Sequence, residues 1–181
     1  SGNHTDFEGA GIYNNGSQGT ATLTIHNSTI SGNIASSNES ESVNGGGIVN
    51  DGSFGGHATL TIVDSLVTGN IAERDVTPTL LYSGGLGGGI YNRDATLSIS
   101  DSIVSNNRAG VPETFGVGAG GGIFSFGLAT IVNSTINNNE APYGGGIANN
   151  GGMTIADSKI NNNSSNGHFG STFYGSGGGV A

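Results

Sequence analysis

The acids and hydroxyls draw attention first, because they recur at fixed places. Asn27, Asp64, Asp101, Asn133 and Asp157 each precede a serine, giving the second series Ser28, Ser65, Ser102, Ser134 and Ser158. If the chain stacks these blocks at the spacing of neighbouring β-strands, Asp64 and Asp101 form a carboxylate pair about 5 Å apart. Such a pair suits glycoside hydrolysis or a Ca²⁺ site. Free exchange of Asp for Asn argues instead for turn capping, since both side chains accept backbone hydrogen bonds. Ca²⁺ stays as the alternative, although the Gly-Gly-x-Gly-x-Asp repeat of secreted toxins occurs in no copy. The serines have no His or Lys stacked beside them to serve as base, so they read as a hydroxyl ladder. Arg74, Arg93, Arg108 and Lys159 fall in different registers, whereas polysaccharide lyases and hydrolases gather such groups in one groove. No catalytic residue and no cofactor are assigned.

Two asparagine series recur with equal regularity: Asn33, Asn70, Asn107, Asn139 and Asn163, and Asn14, Asn50, Asn92 and Asn149, with Ser125 filling the one gap. A carboxamide both donates and accepts, so asparagines stacked along an axis satisfy one another at a buried bend. Both series read as structural ladders.

The elements that position these columns form one repeated unit. Its marker is Gly-Gly-Gly-Ile, at Gly45–Ile48, Gly87–Ile90, Gly120–Ile123 and Gly144–Ile147, with degenerate copies at Gly9–Ile12 and Gly177–Val180. A second block follows (Ala21-Thr22-Leu23-Thr24-Ile25 in the first copy), then a third (Asn27-Ser28-Thr29-Ile30-Ser31-Gly32-Asn33). The shortest marker spacing is 24 residues, Gly120 to Gly144, too short for a propeller blade. Within blocks, apolar and polar residues alternate as in a strand with one buried face. The spacing predicts an all-β fold: a parallel β-helix of about five coils with three strands each, coils starting near residues 9, 45, 87, 120 and 144, and a partial coil from 177. The whole of 1–181 is expected to form one domain, open at both ends. Three inward columns should fill its core: Ile12/Ile48/Ile90/Ile123/Ile147, Ile25/Ile62/Ile99/Ile131/Ile155 and Ile30/Val67/Val104/Ile136/Ile160. The glycine triplet reads as a corner needing positive φ and no Cβ. Without a following helix and Lys it does not read as a phosphate loop. Tyr13/Val49/Tyr91/Phe124/Ala148 is expected to face outward as a stacked stripe. So is the hydroxyl column Thr24/Thr61/Ser98/Thr130/Thr154, whose Thr-x-Thr rows resemble those of ice-binding proteins.

Composition narrows the function. Four Lys+Arg stand against 13 Asp+Glu, for a formal charge of −9, which excludes the basic stripe of a nucleic-acid binder. There is no cysteine for a disulfide or thiolate metal site, and no apolar run long enough to span a membrane. The chain opens at Ser1-Gly2-Asn3 with neither Met nor a signal sequence, as a processed or excised piece would. Insertions leave from one corner, at 36–44, 73–86, 110–119, 142–143 and 166–176. They carry Tyr82, Phe115, Tyr143, Phe169, Phe173 and Tyr174, the expected contact residues for a partner. Asn-x-Ser/Thr sequons at Asn3, Asn15, Asn27, Asn38, Asn133, Asn162 and Asn163 are candidate glycan acceptors. Asn15 and Asn38 should be the most accessible and Asn163, in the ladder, spared.

The Gly-Gly-Gly-Ile marker with Ile30-Ser31-Gly32-Asn33 and Val67-Thr68-Gly69-Asn70 resembles the repeats of polymorphic outer membrane proteins. It is similar also to the Gly-rich passenger repeats of bacterial autotransporter adhesins and other large cell-surface proteins. The resemblance spans nearly the whole chain and departs where the family's aromatic before x-x-Asn is Ile or Val. It implies a right-handed, extracellular β-helix with adhesive or structural duty, and it carries no catalytic residue across. The expected partners are a second copy stacked head-to-tail or the continuation of a longer solenoid, with glycans or cell-surface receptors beyond these. Ice binding and polysaccharide cleavage are the alternatives.

Overall fold

The structure, a computed structural model, describes residues 1–37, 43–74, 84–110, 118–166, 168–169, 172–173 and 177–181, with backbone alone at Arg74, His168, Phe169, Thr172 and Phe173. Three positions per coil turn the chain through the left-handed region. The first marker glycine does so in every copy (Gly9, Gly45, Gly87, Gly120, Gly144 and Gly177, φ 54–65°). So does the Asx residue before each ladder serine (Asn27, Asp64, Asp101, Asn133 and Asp157, φ 47–51°). The third corner is Gly32, Gly69, Asn106, Asn138 or Asn162. Gly, Asn and Asp are the residues that enter this region at least cost. That requirement explains why Asp and Asn interchange.

Between corners the chain is extended, and each strand pairs in parallel with its counterpart one coil along. The marker strands Ile12–Asn15, Ile48–Asp51, Ile90–Arg93, Ile123–Ser125 and Ile147–Asn149 form one sheet. Thr20–His26, His57–Val63, Thr96–Ser100, Leu128–Val132 and Gly152–Ala156 form the second. Thr29–Ser31, Leu66–Thr68, Ile103–Ser105, Thr135–Asn137 and Lys159–Asn161 form the third. The registers align the three inward columns residue for residue. The result is a parallel β-helix whose narrow core runs from Ile12 and Ile25 to Ile147 and Ile160.

The coil has more sides than three. After each ladder asparagine the chain turns again into a fourth parallel sheet, His4–Thr5, Ile34–Ser37, Ile71–Arg74, Arg108–Ala109, Glu140–Ala141 and Ser164–Ser165. Segments this short show no readable alternation. A further ladder joins the residues just before the markers: Glu8 to Asn44, Asn44 to Leu86, Leu86 to Ala119 and Ala119 to Tyr143. It overturns one sequence expectation. Val49, Tyr91, Phe124 and Ala148 do not lie open but are buried in a second apolar cluster that also holds Ala119, with Leu86 and Tyr143 packed against it. Only Tyr13 of that column is exposed, at 40%.

The third marker glycine has its own cause. A Cβ on Gly89 would lie 2.6 Å from the Gly122 carbonyl oxygen and 3.0 Å from Cγ and Nδ2 of Asn107. The absent side chain is what lets the asparagine ladder lie under the marker strand. Gly89→Ala is expected to cost about 1–3 kcal/mol by overpacking. Gly19, around which a Cβ would meet nothing within 4 Å, should accept alanine at no cost, or gain up to about 1 kcal/mol from a less flexible unfolded chain. Urea unfolding midpoints of the two variants check the contrast.

Candidate functional site

The polar columns prove to be bonded networks. In the first asparagine ladder, Asn70 donates both its backbone N–H (2.9 Å) and its Nδ2–H (3.0 Å) to Oδ1 of Asn107. Asn107 repeats both bonds to Asn139 at 3.0 Å. Its second Nδ2–H goes to the Val67 carbonyl, also at 3.0 Å. The same pair of hydrogen bonds joins Asn33 to Asn70 and Asn139 to Asn163, and Asn3 adds a rung by donating to Asn33. Asn33, Asn70, Asn107 and Asn139 are at most 1% exposed, so each satisfied amide matters: an orphaned buried polar group costs about 1–3 kcal/mol.

The second series is joined by single side-chain bonds from Asn14 to Asn50 to Asn92, at 2.8 Å each, and then to the Ser125 hydroxyl. Asn149 holds the register of the series but donates to Gly151 of its own turn. In the serine column, each backbone N–H donates to the hydroxyl of the next coil, Ser28 to Ser65 through Ser134 to Ser158. Each hydroxyl in turn donates to a carbonyl two residues back in its own coil. These hydroxyls are committed to the backbone and do not present themselves as nucleophiles.

The Asx column borders an open groove of about 340 Å³ lined by Asn27, Ser28, Thr29, Asp64, Ser65, Leu66, Asp101 and Ile103. Its carboxylates are engaged as well: Asp64 faces His26 at 3.3 Å, and Asp101 accepts from Nδ2 of Asn133. Among the described residues, no group of three or more His, Asp or Glu side chains is placed to hold a metal ion.

One cluster was not legible in the sequence. Arg93 donates to both carboxylate oxygens of Asp51, Nε to Oδ1 at 3.0 Å and Nη2 to Oδ2 at 2.7 Å. Tyr13 donates its hydroxyl to Asp51 Oδ2 at 2.9 Å, and Glu8 lies 3.5 Å from Arg93 Nη2. The guanidinium also sits over the Tyr91 ring, 5.6 Å from its centroid. Asp51 is 2% exposed. Burial alone would raise its pKa, but hydrogen bonds from Arg93, Ser53 and Tyr13 outweigh that and hold the carboxyl well below the usual range. Burial, then the bond to Asp51, pushes the Tyr13 phenol well above its ordinary value. The signal was one column away. Asn15, Asp51 and Arg93 follow the ladder asparagines directly and lie in register, so an acid and a base fall on adjacent coils. A second pair, Arg108 with Glu73, ties neighbouring coils on the fourth sheet.

The candidate sequons are spread over the surface. Asn3, Asn15, Asn27, Asn133 and Asn162 are exposed, and Asn163 is half-buried in its ladder. Asn15 ends a strand, and its Oδ1 accepts from the Ser17 hydroxyl and amide. Tyr143 is half-buried against the second cluster. Phe169 and Phe173 lie on two short antiparallel strands, while Asn38, Tyr82, Phe115 and Tyr174 fall outside the described residues. Among the described residues, no helix is long and apolar enough to cross a membrane. Comparison with known protein families, with curated proteins and with solved structures finds no match.

Proposed function

We propose that this chain is a non-enzymatic, extracellular structural or adhesive β-helix module, part of a cell-surface stalk or of a self-assembling fibre. The observation that carries the reading is the commitment of the buried asparagine and serine columns to holding coil on coil. They spend their donors and acceptors along the axis or on the adjoining backbone, which builds a rigid rod and leaves little for chemistry. Likeness to the Gly-rich repeats of bacterial surface proteins supports the same reading. Phe54, 82% exposed, and Leu128, 62% exposed, offer apolar contact points of the kind adhesive surfaces use. Axial partners, another copy or further coils, would pair with the strands Thr20–His26 and Gly152–Ala156, which bound their sheet on opposite sides.

A second reading has one observation in its favour. Thr22 and Thr24, Thr59 and Thr61, and Thr96 and Ser98 lie in register on an outward face of three successive coils, as an ice-binding array would. Leu128 and Gly152 end its outer row. Two assays separate the readings. The structural module is expected to show neither thermal hysteresis nor release of reducing ends from acidic or neutral polysaccharides. Hysteresis abolished by Thr61→Tyr would establish the ice reading, and sugar release would establish an enzyme.

A further inference from the structure

The main asparagine ladder and the serine ladder point one way along the axis, and we infer that they act as a one-way interlock in which each coil is held by the coil C-terminal to it. In the main asparagine ladder, every rung donates its backbone N–H and an Nδ2–H to the following coil, whose carboxamide oxygen accepts both. The following amide also reaches back with its own Nδ2–H to a carbonyl of the coil before: Asn70 to Ile30, Asn107 to Val67, Asn139 to Val104 and Asn163 to Ile136. The serine ladder has the same sense, the N-terminal coil donating N–H to the hydroxyl of the next. The other asparagine series differs: its amides donate forward to both the next carboxamide and a carbonyl of the next coil, Asn14 to Asn50 and Thr59, and Asn50 to Asn92 and Thr96. The interlock therefore rests on the main asparagine ladder and the serine ladder.

The consequence is unequal on the two sides of any coil. Truncating the Asn107 side chain removes three bonds toward the preceding coil: Asn70 N–H to Oδ1, Asn70 Nδ2–H to Oδ1, and Nδ2–H to the Val67 carbonyl. Toward the following coil it removes one, Nδ2–H to Asn139, because the backbone N–H that also serves Asn139 survives the truncation. Each lost acceptor leaves a buried donor unpaired, so a disturbed coil loosens its N-terminal neighbour more than its C-terminal one. Opening at the corners these two ladders hold therefore propagates toward the N-terminus, and a coil that stays closed protects those corners of the coil before it.

Amide hydrogen exchange, resolved by residue, tests the interlock. In Asn107→Ala, exchange of the Asn70 amide should accelerate by about tenfold or more, while the amides of residue 107 and Asn139 change much less. Ser134→Ala is the milder, independent variant. It deprives the Ser102 amide of its acceptor but leaves the residue 134 amide on the Ser158 hydroxyl, so Ser102 should accelerate and residue 134 should not. Acceleration on the N-terminal side in Ser134→Ala supports the interlock even if Asn107→Ala fails to fold. Equal acceleration on both sides, acceleration only on the C-terminal side, or none at all overturns it.

Discussion

Ile99→Ala is expected to lower the free energy of unfolding by about 2–5 kcal/mol, seen as a shifted urea midpoint. Ile99 is fully buried and sits in register between Ile62 and Ile131, both fully buried. A solenoid core is one side chain deep, and its walls are strands tied coil to coil by backbone hydrogen bonds. Those walls cannot close in on a lost side chain without breaking register, so the cavity persists and its cost adds to the lost transfer energy. Thr61→Ala provides the contrast. Thr61 points outward from the neighbouring coil beside Ile62, and its replacement should cost less than about 0.5 kcal/mol. Equal shifts for the two variants would mean that the inward and outward assignment is wrong.

The second large effect is expected at Asp51. Asp51→Ala leaves Arg93 without its bidentate partner and Tyr13 without its acceptor. Breaking a buried pair from one side costs about 3–5 kcal/mol; Arg93 retains 29% exposure, so the lower end applies. The pH dependence carries a sign. Hydrogen bonds depress the Asp51 pKa in the folded chain, so its contribution is complete above the ordinary carboxylate pKa of about 3.9 and fades as pH falls through and below it. Asp51→Asn, which cannot ionise, should flatten that part of the acid limb of the stability profile. An acid limb with the same slope in Asp51→Asn and in the parent chain would remove Asp51 from the account.

These two residues also show what the sequence could disclose. Ile99 was legible because a repeat writes each core column out explicitly: once Gly-Gly-Gly-Ile sets the register, Ile25, Ile62, Ile99 and Ile131 align without reference to coordinates, whereas Ile155, in the same register, is 37% exposed and outside the core. The asparagine and serine ladders were legible for the same reason. Their direction was not, since composition says nothing of which amide donates. Backbone pairing asks only for N–H and C=O, so the ladder through Glu8, Asn44, Leu86, Ala119 and Tyr143 has no side-chain signature. Without it, strand alternation alone places Val49 and Tyr91 toward solvent. The Asp51–Arg93 pair was hidden in a similar way. Each residue is alone of its kind in a column otherwise filled by Asn15, Phe126 and Asn150, and a charge pair leaves no periodic trace. Asp64 and Asp101 showed the reverse. Their spacing suggested a metal or an acid pair, and the cause is a left-handed corner that Asn occupies as well.

The proposed role is that of a structural element working through axial association. Light scattering on the 181-residue chain over a range of concentrations, with hydrogen exchange on the same samples, bears on it immediately. Species larger than the 17.9 kDa monomer are expected, growing with concentration, with amides along Thr20–His26 that gain protection as they form. A soluble monomer at every concentration, with the amides of that bounding strand already protected, would contradict it.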